Sequence, residues 1–381
     1  MKTKNIALAL ALAVLVALCA AVTAARAGQT PLESEPEITV TEPPAATAAP
    51  LEPPAPATET PTPTEEPPAP EPFTRPMVGA CTFDTVAAYR GTEYGYDAVI
   101  GGDWSYPFAK TIEYFEGDDF SMANLEVVLS DSDAAATAKT FTFRASSDYA
   151  NILSCGSIEF ATIANNHILD YGQTGYDDTR AALDAVGVAY AGRDKYAVYE
   201  TESGLSIGVY AVSFGTTAQI QAGIAALQEL DCDFIIAALH WGDEGSYSPN
   251  STQISQGRAA IDAGADIVYG SHPHTLQPVE EYNGGYIYYS LGNWSFGGNT
   301  DPRDKDTVIL RLTLERDENG EVSITQREHI PCACSGTESG NNYQPVAYEE
   351  GSEGYLRVLG KLDGTYSGGN LSIDYSYSAN E

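Results

Sequence analysis

"FIIAALHWGDEGSYSPNSTQISQGRAAIDAGADIVYGSHPHTLQP", Phe234 to Pro278, decides how this chain folds. It begins with an unbroken apolar run, Phe234 to Leu239, that stops at His240, Trp241 and Gly242. A helical segment follows from about Gln253 to Ala263, started by Thr252, carrying Ile254 and Ile261, and ended by Gly264. A second apolar run, Asp266 to Tyr269, then leads into Ser271, His272, Pro273 and His274. Short continuous apolar runs read as strands buried on both faces. A helix between two strands of one sheet makes them parallel, so their C-terminal ends share an edge. Open α/β sheets place ligands outside that edge. The pattern therefore predicts an α/β domain in which His240, His272 and His274 meet.

The same strand grammar recurs elsewhere. "FSMA" (Phe120 to Ala123) is followed by Asn124, Leu125 and Glu126, and "FATIA" (Phe160 to Ala164) by Asn165, Asn166 and His167. "YIYYS" (Tyr286 to Ser290) runs into Leu291, Gly292 and Asn293. Thr174 with Asp177 predicts a capped helix start and Gly187 its end. If the strand before His167 is parallel, it joins the same sheet edge, and four of the five histidines converge. "TVILRLTLE" and "EVSITQREH" flank Asn319-Gly320, a tight hairpin signal.

Upstream, Lys2 and Lys4, an apolar run from Ile6 to about Val22, and Ala25-Arg26-Ala27 read as an export signal over residues 1–27, cleaved or kept as a membrane anchor. Residues 28–75 are rich in Pro, Thr, Ala and Glu, a composition for an extended linker reaching on the order of 150 Å at most. The folded domain is expected over 76–365, with a Gly/Ser/Tyr-rich tail at 366–381. Of the 34 net negative charges, about 29 fall on residues 76–381. Such a field opposes nucleic acid and anionic lipid surfaces, leaving the membrane as a partner only through the N-terminal segment. An anionic substrate would need a local positive centre, which a bound metal could supply. Without Cys19, the five remaining cysteines are odd in number and widely spread, which is not a disulfide framework.

His272 and His274 stand two residues apart, and in an extended segment they project the same way, with Pro273 limiting the backbone between them. They read as metal ligands or as surface histidines in a proline turn. His240, at the end of a buried run, reads as a third ligand or as a core histidine beside Trp241. In "NNHILDYG", Asn166 offers a neutral oxygen ligand, His167 a proton donor, and Asp170 a group to orient that imidazole, unless the stretch is simply a polar turn. Glu126 is a carboxylate able to complete or bridge a metal site, with Asn124 beside it. Imidazole with carboxylate and amide oxygens favours one or two divalent transition metals, Mn, Fe or Zn, over calcium.

In order, "ANLE", "NNHILDYG", "LHWG", "GSHPHTLQP" and "YSLGN" resemble the CapA family associated with poly-γ-glutamate capsule synthesis, similar in turn to calcineurin-like metallophosphatases. The resemblance spans about residues 77–300. It implies a four-layer αββα sandwich with mixed sheets and a two-metal centre. It implies Asn166, His240, His272 and His274 as ligands, His167 as the catalytic histidine with Asp170, and Glu126 as the branch's own carboxylate. Asn124, Gln277 and Asn293 fall within the signature and are expected at the substrate. One position departs. The family's first strand ends in Gly-Asp, whose Asp binds metal, whereas this chain has "MVGACTFD", with Ala80 at that place and Asp84 and Asp103 as the nearest substitutes.

Two functions follow from the resemblance. One is an exported metal-dependent hydrolase, anchored or extracellular, acting in synthesis, export or anchoring of an anionic envelope polymer. The other is a non-catalytic subunit that uses a degenerate cleft to bind that polymer or its synthesis complex. A structural metal site in an adhesion domain is a third reading, which requires a closed coordination sphere.

Overall fold

Residues 73–193 and 195–372 are described by the computed structural model, and they build two mixed sheets. The eight-stranded sheet runs β16 (Val346–Ala347), β15 (Val322–Ala333), β14 (Asp306–Arg316), β1 (Phe73–Thr82), β2 (Met122–Leu125), β5 (Phe160–Thr162) and β6 (Ala189–Ala191). Its eighth strand, β13 (Asn293–Phe296), pairs parallel with the end of β1. The six-stranded sheet runs β11 (Val279–Tyr282), β12 (Gly285–Tyr288), β10 (Ile267–Ser271), β9 (Phe234–His240), β8 (Ser206–Ser213) and β7 (Lys195–Glu200). A small pair, β3 (Val128–Leu129) and β4 (Arg144–Ala145), stands apart.

The connectivity read from Phe234 to Pro278 holds. Strands β9 and β10 are parallel neighbours with Ser271 opposite His240. Every residue of β9 is buried, as its unbroken apolar run requires. Four helices of ten or more residues accompany the sheets: α1 (Gly172–Val186), α2 (Thr217–Gln228), α3 (Ser251–Asp262) and α4 (Glu353–Leu362). Helix α3 links β9 to β10, but its cap is Asn250 rather than Thr252. The Asn250 side chain accepts from the Thr252 and Gln253 backbone N–H groups, and Gln253 reaches back to the Asn250 N–H. Helix α1 likewise starts two residues before Thr174, with no side-chain cap. Both helices end where a glycine takes positive φ, at Gly187 and Gly264.

Three apolar cores organise the layers. Met77, Met122 and Phe160 of the larger sheet meet Ile207, Ile236 and Tyr269 of the smaller one, with Val358 and Leu362 of α4. Leu183 of α1 joins the core on the other side of the larger sheet, with Val78 and Ile163. Ile224, Leu227 and Ile261 of α2 and α3 pack against Tyr210, Ile235 and Val268. Each such aliphatic side chain, fully buried, contributes about 1.5–3 kcal/mol relative to exposure. The result is a mixed α/β fold with mixed sheets.

Several expectations change. Strand β5, which precedes His167, is parallel to β2 but belongs to the larger sheet, so the histidines come from the edges of two sheets rather than one. Periodicity reports burial and not which sheet a strand joins. Strand β1 begins at Phe73, inside the stretch read as linker, and Arg75 is buried 2.6 Å from Asp119. The tail is in part docked: the Leu371 N–H donates to the Gly245 carbonyl at 2.8 Å, and Asn370 Oδ1 accepts from the Tyr247 N–H at 3.0 Å. The five cysteines among the described residues are free. Membrane attachment through the N-terminal segment is withdrawn as a partner: among the described residues no helix is long and apolar enough to cross a membrane. Residues 1–27, on which that expectation rested, and the linker up to residue 72 lie outside the described residues.

Candidate metal centre

The site lies where β2, β5, β9 and β10 end. His240 closes β9, and its ring is held at both nitrogens: Nδ1 is 2.9 Å from Ser271 Oγ and Nε2 is 2.8 Å from Asn166 Oδ1. Glu126, just after β2, is fixed by its own N–H donating to the Cys81 carbonyl and by Asn124 Nδ2 donating to Oε2 at 3.1 Å. Its other oxygen, Oε1, lies 3.5 Å from His240 Nε2 and 3.8 Å from His274 Nε2, is buried, and has no hydrogen-bond partner. His272 Nδ1 is likewise buried without one.

His272 and His274 converge for a reason the sequence did not supply. They are not in extended chain. Both take positive φ, 97° and 56°, where side chains larger than Gly or Asn are strained, so a left-handed turn aims them. Asn293 locks His274, its Oδ1 lying 2.8 Å from Nδ1 while its Nδ2 donates to the His274 carbonyl.

Two groups of ligand atoms result, Glu126 with His240 and His272, and Glu244 with His272 and His274, each with its atoms within 4.8 Å of one another. These His and Glu groups could hold one or two divalent ions. The chemistry of the donors fits such an ion. Burial, with the neighbouring His272 and His274, holds His240 well below the usual imidazole range, and burial with His274 brings His272 down to about 3, so both stay in the neutral form that ligates. Burial pushes the Glu126 carboxyl upward, partly offset by His274 and His167, and a cation is the partner that its unpaired buried oxygen lacks.

His167 sits beside this centre. Its Nδ1 lies 2.7 Å from Asp170 Oδ2, which also accepts from the Phe143 N–H at 2.9 Å. Because a carboxylate only accepts, Nδ1 carries the proton and Nε2 is left as the acceptor. Lys139, which no pattern singled out, donates to Asp170 Oδ1 and to the Asn166 carbonyl, tying the two residues together. Phe214 was also missed: it is 57% exposed with φ 48°, and its ring stands edge-on to His272 at 4.9 Å. Only Glu244 had a legible signal, as the acid in the loop that follows His240.

The residues expected at the substrate are placed otherwise. Asn124 positions Glu126, and Asn293 positions His274. Gln277 is fully buried, accepting from Gln253 and donating to the Ser246 and Ser248 carbonyls, so it fixes the Glu244 loop. Neither substitute for the missing aspartate serves. Asp84 is taken by Arg90 and by the Thr85 and Arg144 N–H groups, and Asp103 caps its own turn at Ser105. Ala80 itself pairs with Asn124 on one side and Asn293 on the other, so its backbone lies between the two residues that aim Glu126 and His274. Next to it, Gly79 crosses β13 so closely that a Cβ there would lie 2.1 Å from the Gly292 carbonyl oxygen. The fifth histidine, His329, takes no part, being bonded to the Tyr288 hydroxyl.

The family model of the bacterial capsule synthesis protein PGA_cap matches residues 77–297, a span that takes in every candidate ligand named above. The chain belongs to this family. It is 34% identical over 185 residues to the PGA biosynthesis protein CapA of Bacillus subtilis, covering 42% of this chain and 48% of that one. It is 29% identical over 277 residues to the capsule biosynthesis protein CapA of Bacillus anthracis, covering 64% of each. The chain thus spans less than two thirds of the length of these family members. Among solved structures, the NAD nucleotidase NadN of Haemophilus influenzae overlays with a TM-score of 0.40 at 13% identity, covering 77% of this chain and 63% of that chain.

Proposed function

We propose that the chain acts on an anionic polymer of the cell envelope, of the poly-γ-glutamate kind, through a metal-dependent hydrolase-type site outside the cytoplasm. In this reading the two mixed sheets are the inner layers of a metallophosphatase-type αββα sandwich. The observation that carries it is the buried, unpartnered Oε1 of Glu126 facing His240 and His274. Glu126, Asn166, His240, His272 and His274, with Glu244 at the second group, would hold the ion or ions. Mixed nitrogen and oxygen donors favour Mn, Fe or Zn. Such an ion supplies Lewis acidity that activates water and polarises the bond to be cut. His167, its tautomer set by Asp170, offers Nε2 as the acceptor that takes a proton and returns it to the leaving group. Lys139 holds Asp170 in place through an ion pair. Phe214 at the exposed side covers His272 from solvent.

The test is metal analysis of the full-length protein together with turnover of γ-linked glutamate oligomers. Transition metal in the parent, lost in His272→Ala/His274→Ala, with metal-dependent turnover abolished by His167→Ala, supports the proposal. A parent that takes up no transition metal sinks it.

Ala80 favours a second reading, a polymer-binding subunit that no longer cleaves, because neither Asp84 nor Asp103 makes up for the lost carboxylate. Oligomer binding with no turnover in any added metal would select it.

A further inference from the structure

The 15 Lys and Arg of residues 76–381 face 44 Asp and Glu, yet four of those cations, Arg303, Lys305, Arg357 and Lys361, line one cavity of about 600 Å³. That size is ordinary for a small-molecule subsite. Two of the four are neutralised within the wall. Arg357 is bidentate to Asp306 at 2.6 Å for each contact, and Lys361 binds Asp304 and Asp306 at 2.8 and 2.7 Å. The other two are not. Lys305 Nζ donates to the Thr337 and Glu338 carbonyls, Arg303 donates to the Ser372 carbonyl, and neither forms an ion pair with a carboxylate among the described residues. Carbonyl partners hold these side chains in place without cancelling their charge. Asp304 and Glu338 also line the cavity, Asp304 matched by Lys361, so Arg303 and Lys305 outnumber the one remaining carboxylate and, in a chain this acidic, make the cavity a local attractor for anions.

The cavity also borders the candidate metal centre through one loop. Tyr247 lines it, and three residues earlier Glu244 lies 4.0 Å from His272. The loop is pinned in the middle of that span: the Gly245 N–H donates to the Pro273 carbonyl, and Thr275 and Gln277 donate to the Ser246 carbonyl.

We propose that this cavity is a second subsite, in which Arg303 and Lys305 bind the carboxylates of a chain whose neighbouring unit lies at the metal centre. The chemical class, a polycarboxylate, rests on the envelope-polymer reading; the binding itself does not require the metal. The test is calorimetric titration of the full-length protein with a γ-linked glutamate hexamer. Its uncharged side-chain-amidated counterpart and inorganic sulfate serve as comparison titrants. Arg303→Ala/Lys305→Ala is expected to weaken hexamer binding at least tenfold with an unchanged melting temperature, and Lys305→Gln, which keeps the stem, to do so should the double variant misfold. Raising the salt should weaken the parent and leave the variants nearly unaffected. Parent-like affinity in the cavity variants overturns the proposal. So does equal binding of the amidated oligomer or of sulfate, or loss of binding in His272→Ala/His274→Ala alone. A parent without metal that still binds the hexamer through Arg303 and Lys305 would sink the hydrolase reading and leave this one standing.

Discussion

The two walls of the candidate metal centre are unequal. The six-stranded sheet presents His240, His272 and His274, two of them held by Ser271, Asn166 or Asn293. The eight-stranded sheet presents Glu126 and Asn166, and at the end of its central strand only Ala80. One wall carries three candidate ligands, two of them aimed by a left-handed turn, while the other has an alanine at position 80 between two asparagines. The difference teaches that the hydrogen bonds positioning Glu126 and His274 are present beside a position that offers no donor of its own. Asn124 and Asn293 still flank Ala80 in register.

The sharpest way to break this comparison is His240→Ala, which removes a candidate ligand of the six-stranded sheet's wall and leaves Ser271 and Asn166 without their partner. Metal affinity, read by competition with a chelator, should fall more than about 100-fold, exceeding the loss seen for supporting residues. A smaller loss would mean that the intact wall is not where the ion sits. Next, Asn293→Ala and Asn124→Ala should each cost about 10–100-fold in the same assay, because each frees a ligand without deleting it. An undiminished affinity in Asn124→Ala would show that Glu126 needs no positioning. Restoring the lost donor with Ala80→Asp should then raise the bound metal toward one additional ion per chain, counted by elemental analysis. No increase would show that the larger sheet's wall has changed beyond this one position.

The inequality extends to stability. On the larger sheet's side, burial with Asp118 and Asp119 nearby pushes the Glu159 carboxyl up to about 7. A carboxyl raised above its unfolded value contributes stability that is complete below about 4.5 and is lost as the pH rises through about 7. Glu159→Gln, which keeps the acceptor for the Ser121 N–H, should therefore be the more stable form at pH 8 by on the order of 1–2 kcal/mol and lose that advantage by pH 4. Urea unfolding at the two pH values decides it, and equal pH dependence in both proteins would refute it. On the other side, Asn250→Ala removes the cap of α3 and should cost about 1 kcal/mol at any pH from 5 to 8.

Much of this was legible in the sequence. Apolar runs that stop at His240 and at Ser271, joined by a helix, dictate parallel neighbours, and the register of β9 on β10 follows. The choice between sheets was not legible, since β5 is as apolar as β9 and burial alone does not name a partner strand. His272 and His274 were found by spacing, but through the wrong backbone. A two-residue period suits a strand, whereas His272 and His274 have φ values of 97° and 56°, which no spacing announces. Asn124, Gln277 and Asn293, expected at the substrate, hydrogen-bond to Glu126, to the Ser246 and Ser248 carbonyls and to His274, and neither their residue type nor their spacing named those partners. Lys139 and Phe214 carried no local signal at all.

The tight crossing at Gly79 bears on how such a site changes over time. With no room for a side chain against the Gly292 carbonyl, β1 is held close to the chain entering β13, whatever residue stands at position 80. An exchange of Ala80 for Asp would therefore fall on a backbone that stays where it is.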